Sequence, residues 1–319
     1  MSRYLLIAFC AVLSLSAQSR ERRYALLLDT PPVIEQVNAA DAKSPGNAAA
    51  LGAQARVAAS QDRVRAAIDT ARVKITGGSD LLVNALYVRA TPEDAKTLER
   101  LPGVERVVWM RPYKRMDEPG LNLVKGTQGW TPLGGERNAG LGVRIGIIDS
   151  GVDHTHPALQ DTSLPPPAGG RRCSGSDCDF TNNKVIAARS YVVRLDRPDD
   201  LSPRDRVGHG TAVAAIAAGL RTAGPAGTII GVAPRAYVGN YKVFGSPGVN
   251  DGTYGDVLEA ALRDAFNDGM DVVTLSLGVP AEWTPLDQVC GQNRNRPCDP
   301  FAYAVFNAVQ AGMSVVVAA

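Results

Sequence analysis

Between residues 143 and 149 the chain reads VRIGIID. A strand this apolar must be covered on both faces, as happens in a parallel sheet packed between helices. Four further runs of the same kind follow: VIAARSYV (185–192), AYVGNYKV (236–243), DVVTLSL (271–277) and MSVVVAA (313–319). Helical patterns lie between them at 211–219, 255–268 and 300–311. This alternation predicts an α/β fold, a parallel sheet with helices on both faces. Such sheets take ligands at the carboxyl ends of their strands, and Asp149 closes the first of them.

Residues 24 to 116 read as a separate, small α+β unit. It contains a strand YALLLD (24–29), a helix over 48–71, and a strand LLVNALYVRA (81–90). Thr91 then caps a second helix with Pro92 in its first turn, and GVERVVWM (103–110) is the last strand. This order alone says little about function. Ahead of it, residues 1–19 have the make-up of a secretory leader: Arg3, an apolar run to about Leu15, then Ala17 and Ser19 at the small-residue positions. The run is short of the roughly 20 residues that span a membrane. Phe9 before Cys10 argues against a lipoprotein, and the chain is expected to be exported.

Export bears on the four cysteines beyond the leader. An even number favours disulfides, with three pairings possible. Cys173 and Cys178, and Cys290 and Cys298, each share one polar loop, so these two local staples are favoured. A zinc site is the alternative; the spacings are not CxxC and no histidine is near. The net charge of +2 gives no reason to expect nucleic acid or an acidic membrane surface as partner. The glycines of GLGVRIG precede their strand, so they form no phosphate-cradling turn.

Asp149 stands in IIDSGVDHTHPAL and His209 in VGHGTAVAA, and these two stretches carry the chemistry. A nucleophilic hydroxyl needs a base within hydrogen-bond reach and a carboxylate to orient that base. A strand's carboxyl end and a helix start can bring such a pair together. Gly208 and Gly210 are expected to clear space for substrate and nucleophile. His154 and His156 are read as packing and turn residues, and Asp153 and Asp205 as turn or solvated ones. Ser150 and Ser314 are rejected as nucleophiles, and Trp130 and Trp283 are given no role.

The motifs DSG-x-D-x-x-H-P and GHGT-x-VA, followed by GVAP (231–234) and DVVTLSLG (271–278), resemble those of the subtilisin-like serine peptidases, the subtilases. That resemblance implies an exported serine endopeptidase acting on peptides and proteins, with Asp149 as orienting acid and His209 as general base. Ser276, Leu277 and Gly278 would pair with extended substrate as an added strand. No cofactor or metal is implied: Ala158 replaces a carboxylate that often helps bind calcium, and Ala212 replaces a second histidine. Residues 24–116 resemble the family's propeptide, a folding assistant and intramolecular inhibitor, which leaves 117–319 as a partial peptidase domain. The serine motif of the GTSMA type is absent, and the oxyanion-hole asparagine would follow SVVVAA. The sequence is therefore expected to be truncated, and these 319 residues alone inactive. The alternative is a peptide-binding pseudopeptidase on the same fold.

Overall fold

The computed structural model describes residues 21–44, 46–112, 114–115, 125–224, 227–278, 289–290 and 295–318. The leader and Trp283 lie outside them, as do Tyr113 and residues 116–120 of the stretch 113–120 in which a propeptide cut is expected.

The N-terminal unit is a four-stranded antiparallel sheet in the order β2-β3-β1-β4. Its strands are β1 (Arg22–Leu28), β2 (Lys74–Ser79), β3 (Ala85–Ala90) and β4 (Val104–Trp109). Helix α1 (Ala48–Ala67) precedes β2 and α2 (Pro92–Leu98) joins β3 to β4. Thr91 caps α2 as expected, accepting from Asp94 N at 3.2 Å. Helix α1 ends four residues before the predicted boundary. Asp69 folds the chain into a turn there, accepting from Ala71 N at 3.0 Å through its side chain.

The apolar stretch 81–84 is buried but is not strand. Its neighbourhood hydrogen-bonds elsewhere: Asp80 O and Leu81 O accept from Val33 N and Ile34 N. The sequence reading also missed β2, KITGGS, an edge strand with two glycines and no apolar run. In β1, Tyr24, Leu26 and Leu28 pack with Val64 of α1 and Leu98 of α2. Ala25 and Leu27 face the other way, into a core shared with the second unit.

That second unit is the five-stranded parallel sheet the alternation predicts. Its strands are β5 (Arg144–Asp149), β6 (Val185–Ser190), β7 (Tyr237–Lys242), β8 (Val272–Leu275) and β9 (Ser314–Val317), ordered β9-β8-β5-β7-β6. Helix α3 (His209–Ala218) lies on one face, and Ala214 and Ala218 pack on Ile145 and Ile147. Helices α4 (Gly255–Asn267) and α5 (Pro300–Gln310) lie on the other, in one core with Ile148 and Val273. The alternation of Ile147 and Ile148 between two cores is why VRIGIID has no polar face.

The outer surfaces of α4 and α5 are covered by the N-terminal sheet. Ala25, Leu27 and Tyr87 share a core with Val257, Leu258 and Phe301. Polar contacts also cross this boundary: Asn307 Nδ2 donates to Leu82 O at 2.8 Å, Arg106 donates to Cys298 O at 2.7 Å, and Ser79 bonds Glu259. Cys173–Cys178 and Cys290–Cys298 form the two local disulfides favoured from sequence. Among the described residues, no helix is long and apolar enough to cross a membrane.

Candidate active site

Strand β5 sits in the middle of the sheet, with β7 on one side and β8 on the other. The strand order reverses there, and it is at such a point, at the carboxyl ends, that open parallel sheets take their ligands. Asp149 is the last residue of β5 and is fully buried. Its Oδ1 accepts from Ser150 N at 2.6 Å and lies 2.7 Å from His209 Nδ1. Asp149 Oδ2 is buried without a hydrogen-bond partner among the described residues. The short contact to a carboxylate fixes Nδ1 as the protonated ring nitrogen and leaves Nε2 as the basic one.

His209 is the first residue of α3, and the two glycines around it do different work from that expected. An added Cβ on Gly210 would run into Gly151 O and lie 3.1 Å from Asp149 Cβ. Gly210 thus lets the helix start press against the end of β5, and the space it leaves is filled by the chain itself. Gly208 has φ +88° and open space where a Cβ would be. It serves the left-handed turn into the helix.

Asp205, read from sequence as a turn or solvated residue, is the hub of this start. Its Oδ1 accepts from Ser150 Oγ at 2.9 Å, Val207 N at 2.9 Å and Gly208 N at 2.8 Å. Its Oδ2 accepts from Thr211 N at 2.9 Å and Thr211 Oγ1 at 2.6 Å. Burial opposes its charge, but the hydrogen bonds from Thr211, Val207 and Gly208 outweigh burial and hold its pKa below the ordinary value. A carboxylate at the first turn of α3 also suits the helix dipole. Ser150 completes the link, since its Oγ accepts from Gly210 N at 2.9 Å while donating to Asp205. Its hydroxyl is therefore engaged in holding the helix start.

The loop bearing Asp205 is held in turn by β7. Lys242 lies level with Asp149 in the strand register; its buried Nζ donates to Ser202 O at 3.1 Å. Asn240 Nδ2 donates to Pro203 O at 2.9 Å. The signal for Asp205 was in DRVGHGT: an aspartate able to make an Asx-turn just ahead of a helix start. The signal for Lys242 and Asn240 was not local, because their partners come from a distant loop.

Beyond β8, Ser276 separates it from a two-residue strand, Leu277–Gly278. This strand pairs antiparallel with Lys114–Arg115, Leu277 opposite Arg115 and Gly278 opposite Lys114. The segment predicted to accept an added strand thus carries one, supplied by the chain just past the N-terminal sheet. His154 stacks edge-on against Phe180 and His156 Nδ1 accepts from Ala158 N at 3.2 Å. Trp130 is buried and donates to Val232 O at 2.7 Å. Among the described residues no cluster of His, Cys, Asp and Glu could hold a metal ion.

Residues 140–319, more than half of the chain, match the subtilase family of peptidases. The chain belongs to the subtilase family. Subtilisin-like protease SBT2.2 of Arabidopsis thaliana is 32% identical over 272 residues, covering 75% of this chain and 29% of the plant protein. Subtilisin-like protease SBT2.1 of the same plant is 35% identical over 229 residues, covering 62% of this chain and 25% of its own length. This subtilase therefore spans well under a third of those relatives. Among solved structures, fervidolysin from Fervidobacterium pennivorans, a keratinolytic enzyme related to subtilisin, superposes with a TM-score of 0.52. It covers 95% of this subtilase and 40% of fervidolysin, at 14% identity, a likeness of fold alone.

Proposed function

We propose that this subtilase is the N-terminal part of an exported serine endopeptidase, in which Asp149 orients His209 and His209 is the general base. The observation that carries the reading is the 2.7 Å contact between Asp149 Oδ1 and His209 Nδ1 at the switch point of a parallel sheet. With its Nδ1–H held by Asp149, the ring presents Nε2 to a serine hydroxyl and takes its proton as the hydroxyl attacks a peptide carbonyl. The buried carboxylate then stabilises the imidazolium that forms. The serine and the oxyanion donor are supplied by polypeptide outside these 319 residues.

Ser276, Leu277 and Gly278 hold extended substrate by backbone pairing. Support comes from the antiparallel pairing of Lys114–Arg115 with Leu277–Gly278. The same pairing supports reading residues 24–116 as a propeptide that blocks its own groove until it is cut away. Export is supported by the leader-like first 19 residues and by the two disulfides.

The test uses the full-length gene product and a fluorogenic peptide. The expected result is amide hydrolysis that a fluorophosphonate abolishes and that His209→Ala removes. A folded full-length product that neither cleaves peptides nor takes the label contradicts the reading, and peptide binding without either would identify a pseudopeptidase.

A further inference from the structure

Arg23 of β1 is the most enclosed cation at the boundary between the N-terminal and peptidase units, and its surroundings are unusual. Although 6% exposed, it meets four groups, all from the peptidase unit. One terminal nitrogen lies 3.2 and 3.1 Å from the two carboxylate oxygens of Asp256. The other donates to Arg194 O at 2.7 Å and to Asp196 Oδ1 at 2.9 Å. The guanidinium carbon lies over the ring of Tyr254, 4.1 Å from its centroid. Tyr254 in turn donates to the far oxygen of Asp196 at 2.9 Å, which fixes one wall of the enclosure.

This is the donor fork, the stacking face and the paired carboxylates that distinguish guanidinium from ammonium. An ammonium cannot lie flat on a ring while reaching two carboxylates and a carbonyl in different directions. Asp256 is 3% exposed and stands in the first turn of α4, where the helix dipole favours its charge. Arg23 Nε makes no hydrogen bond among the described residues, so only the two terminal nitrogens are used. A guanidinium with no further polypeptide attached would satisfy the same walls. A cavity of about 220 Å³, lined by Arg89, Trp109, Met110 and Pro112 among others, opens beside it.

We propose that Asp196, Asp256, Tyr254 and the Arg194 carbonyl form an arginine-recognition cage on the peptidase unit, with Arg23 as its resident ligand. The cage belongs with the substrate groove by position. Met110 N donates to Arg23 O at 2.9 Å, and the chain then runs four residues to Lys114, which pairs with Gly278. Four positions of chain span at most about 14 Å, so the backbone beside Arg23 lies within that reach of the pairing. The cage's ligand class is thus the arginine side chain of a polypeptide lying across this face, a deepening of the peptidase reading.

The test is chemical rescue in the whole chain. Arg23→Ala removes the fork and leaves a space the size of ethylguanidinium. The expected result is a lower melting temperature, at least half restored by millimolar ethylguanidinium in a saturable way. Ethylammonium at equal ionic strength leaves the melt unchanged, and the double variant Arg23→Ala/Asp256→Asn is not rescued. Equal response to both cations, no response, or rescue that persists without Asp256 overturns the cage. If Arg23→Ala does not fold unaided, refolding yield in the two cations gives the same comparison. None of these readouts depends on peptide hydrolysis, so the cage and the peptidase reading fail separately.

Discussion

At the scale of single residues, the site depends on one carboxylate that touches the imidazole of His209 and another that never does. Asp149 holds the imidazole; Asp205 holds the helix start on which the imidazole stands. In the full-length product, Asp149→Asn is expected to lower kcat by about four orders of magnitude with little change in KM, because an amide stabilises the wrong tautomer and no imidazolium. Steady-state kinetics check this, and a loss confined to KM contradicts it. Asp205→Ala acts through position: it strands the amides of Val207, Gly208 and Thr211 together with two hydroxyls. The expected loss is on the order of 5 °C in melting temperature, from roughly 2 kcal/mol of broken hydrogen bonds. Asp205→Asn should recover part of it, as a carboxamide oxygen still accepts. Asp149 and His209 were legible in sequence because strand end and helix start each carry a local signature. Asp205 was underrated because its contact from Ser150 depends on how the end of β5 and the start of α3 meet.

At the scale of elements, apolar patterning located most of the strands. Strands β5, β6 and β7 are buried on both faces, whereas the edge strand β9 leaves Val316 and Val317 exposed, and β1 is covered by its own helices on one face and by α4 and α5 on the other. The same patterning failed at 81–84, where Leu81 O accepts from Ile34 N and Leu82 O from the Asn307 side chain instead of from a strand. It failed again at β2, where a glycine-rich edge leaves no pattern to read. Helix α4 carries a further consequence. Glu259 is buried at the boundary, bonded to Ser79 and 3.4 Å from Tyr87 Oη. Burial first, with Asp80 adding to it, pushes its pKa up to about 7 against the opposing pull of Arg263, Ser79 and Arg194. Because the folded pKa is the raised one, the group's stability is fully present below about pH 4.5, the ordinary value, and is lost as pH climbs to about 7. The loss amounts to roughly 3 kcal/mol. Glu259→Gln keeps both hydrogen-bond partners and removes the titration. Melting curves of variant and wild type should coincide near pH 4.5 and separate by several degrees above pH 7, the variant higher. Parallel profiles across that range contradict the assignment.

At the scale of the whole molecule, one core runs from Ala25, Leu27 and Tyr87 through Val257, Leu258 and Phe301 to the parallel sheet. The two units were legible from sequence as separate patterns. Their union was not, because no local pattern says which helix faces an incoming sheet will cover. A shared core predicts shared unfolding. Calorimetry of the chain should give a single transition, and the amides of Leu27 and Leu258 should exchange with similar free energies. Two resolved transitions, or a β1 that exchanges far faster than α4, would show that the units are merely tethered. The Lys114–Arg115 pairing with Leu277–Gly278 adds a second backbone link between the two units.

The most direct measurement concerns the three histidines, few enough to resolve individually by nitrogen-15 NMR. His209 should appear as the Nδ1–H tautomer, with a slowly exchanging, strongly downfield ring proton that Asp149→Ala abolishes. His156, whose Nδ1 accepts from Ala158 N, should be the Nε2–H tautomer and unaffected. A His209 ring protonated at Nε2 alone, or a spectrum that Asp149→Ala leaves unchanged, would contradict the account.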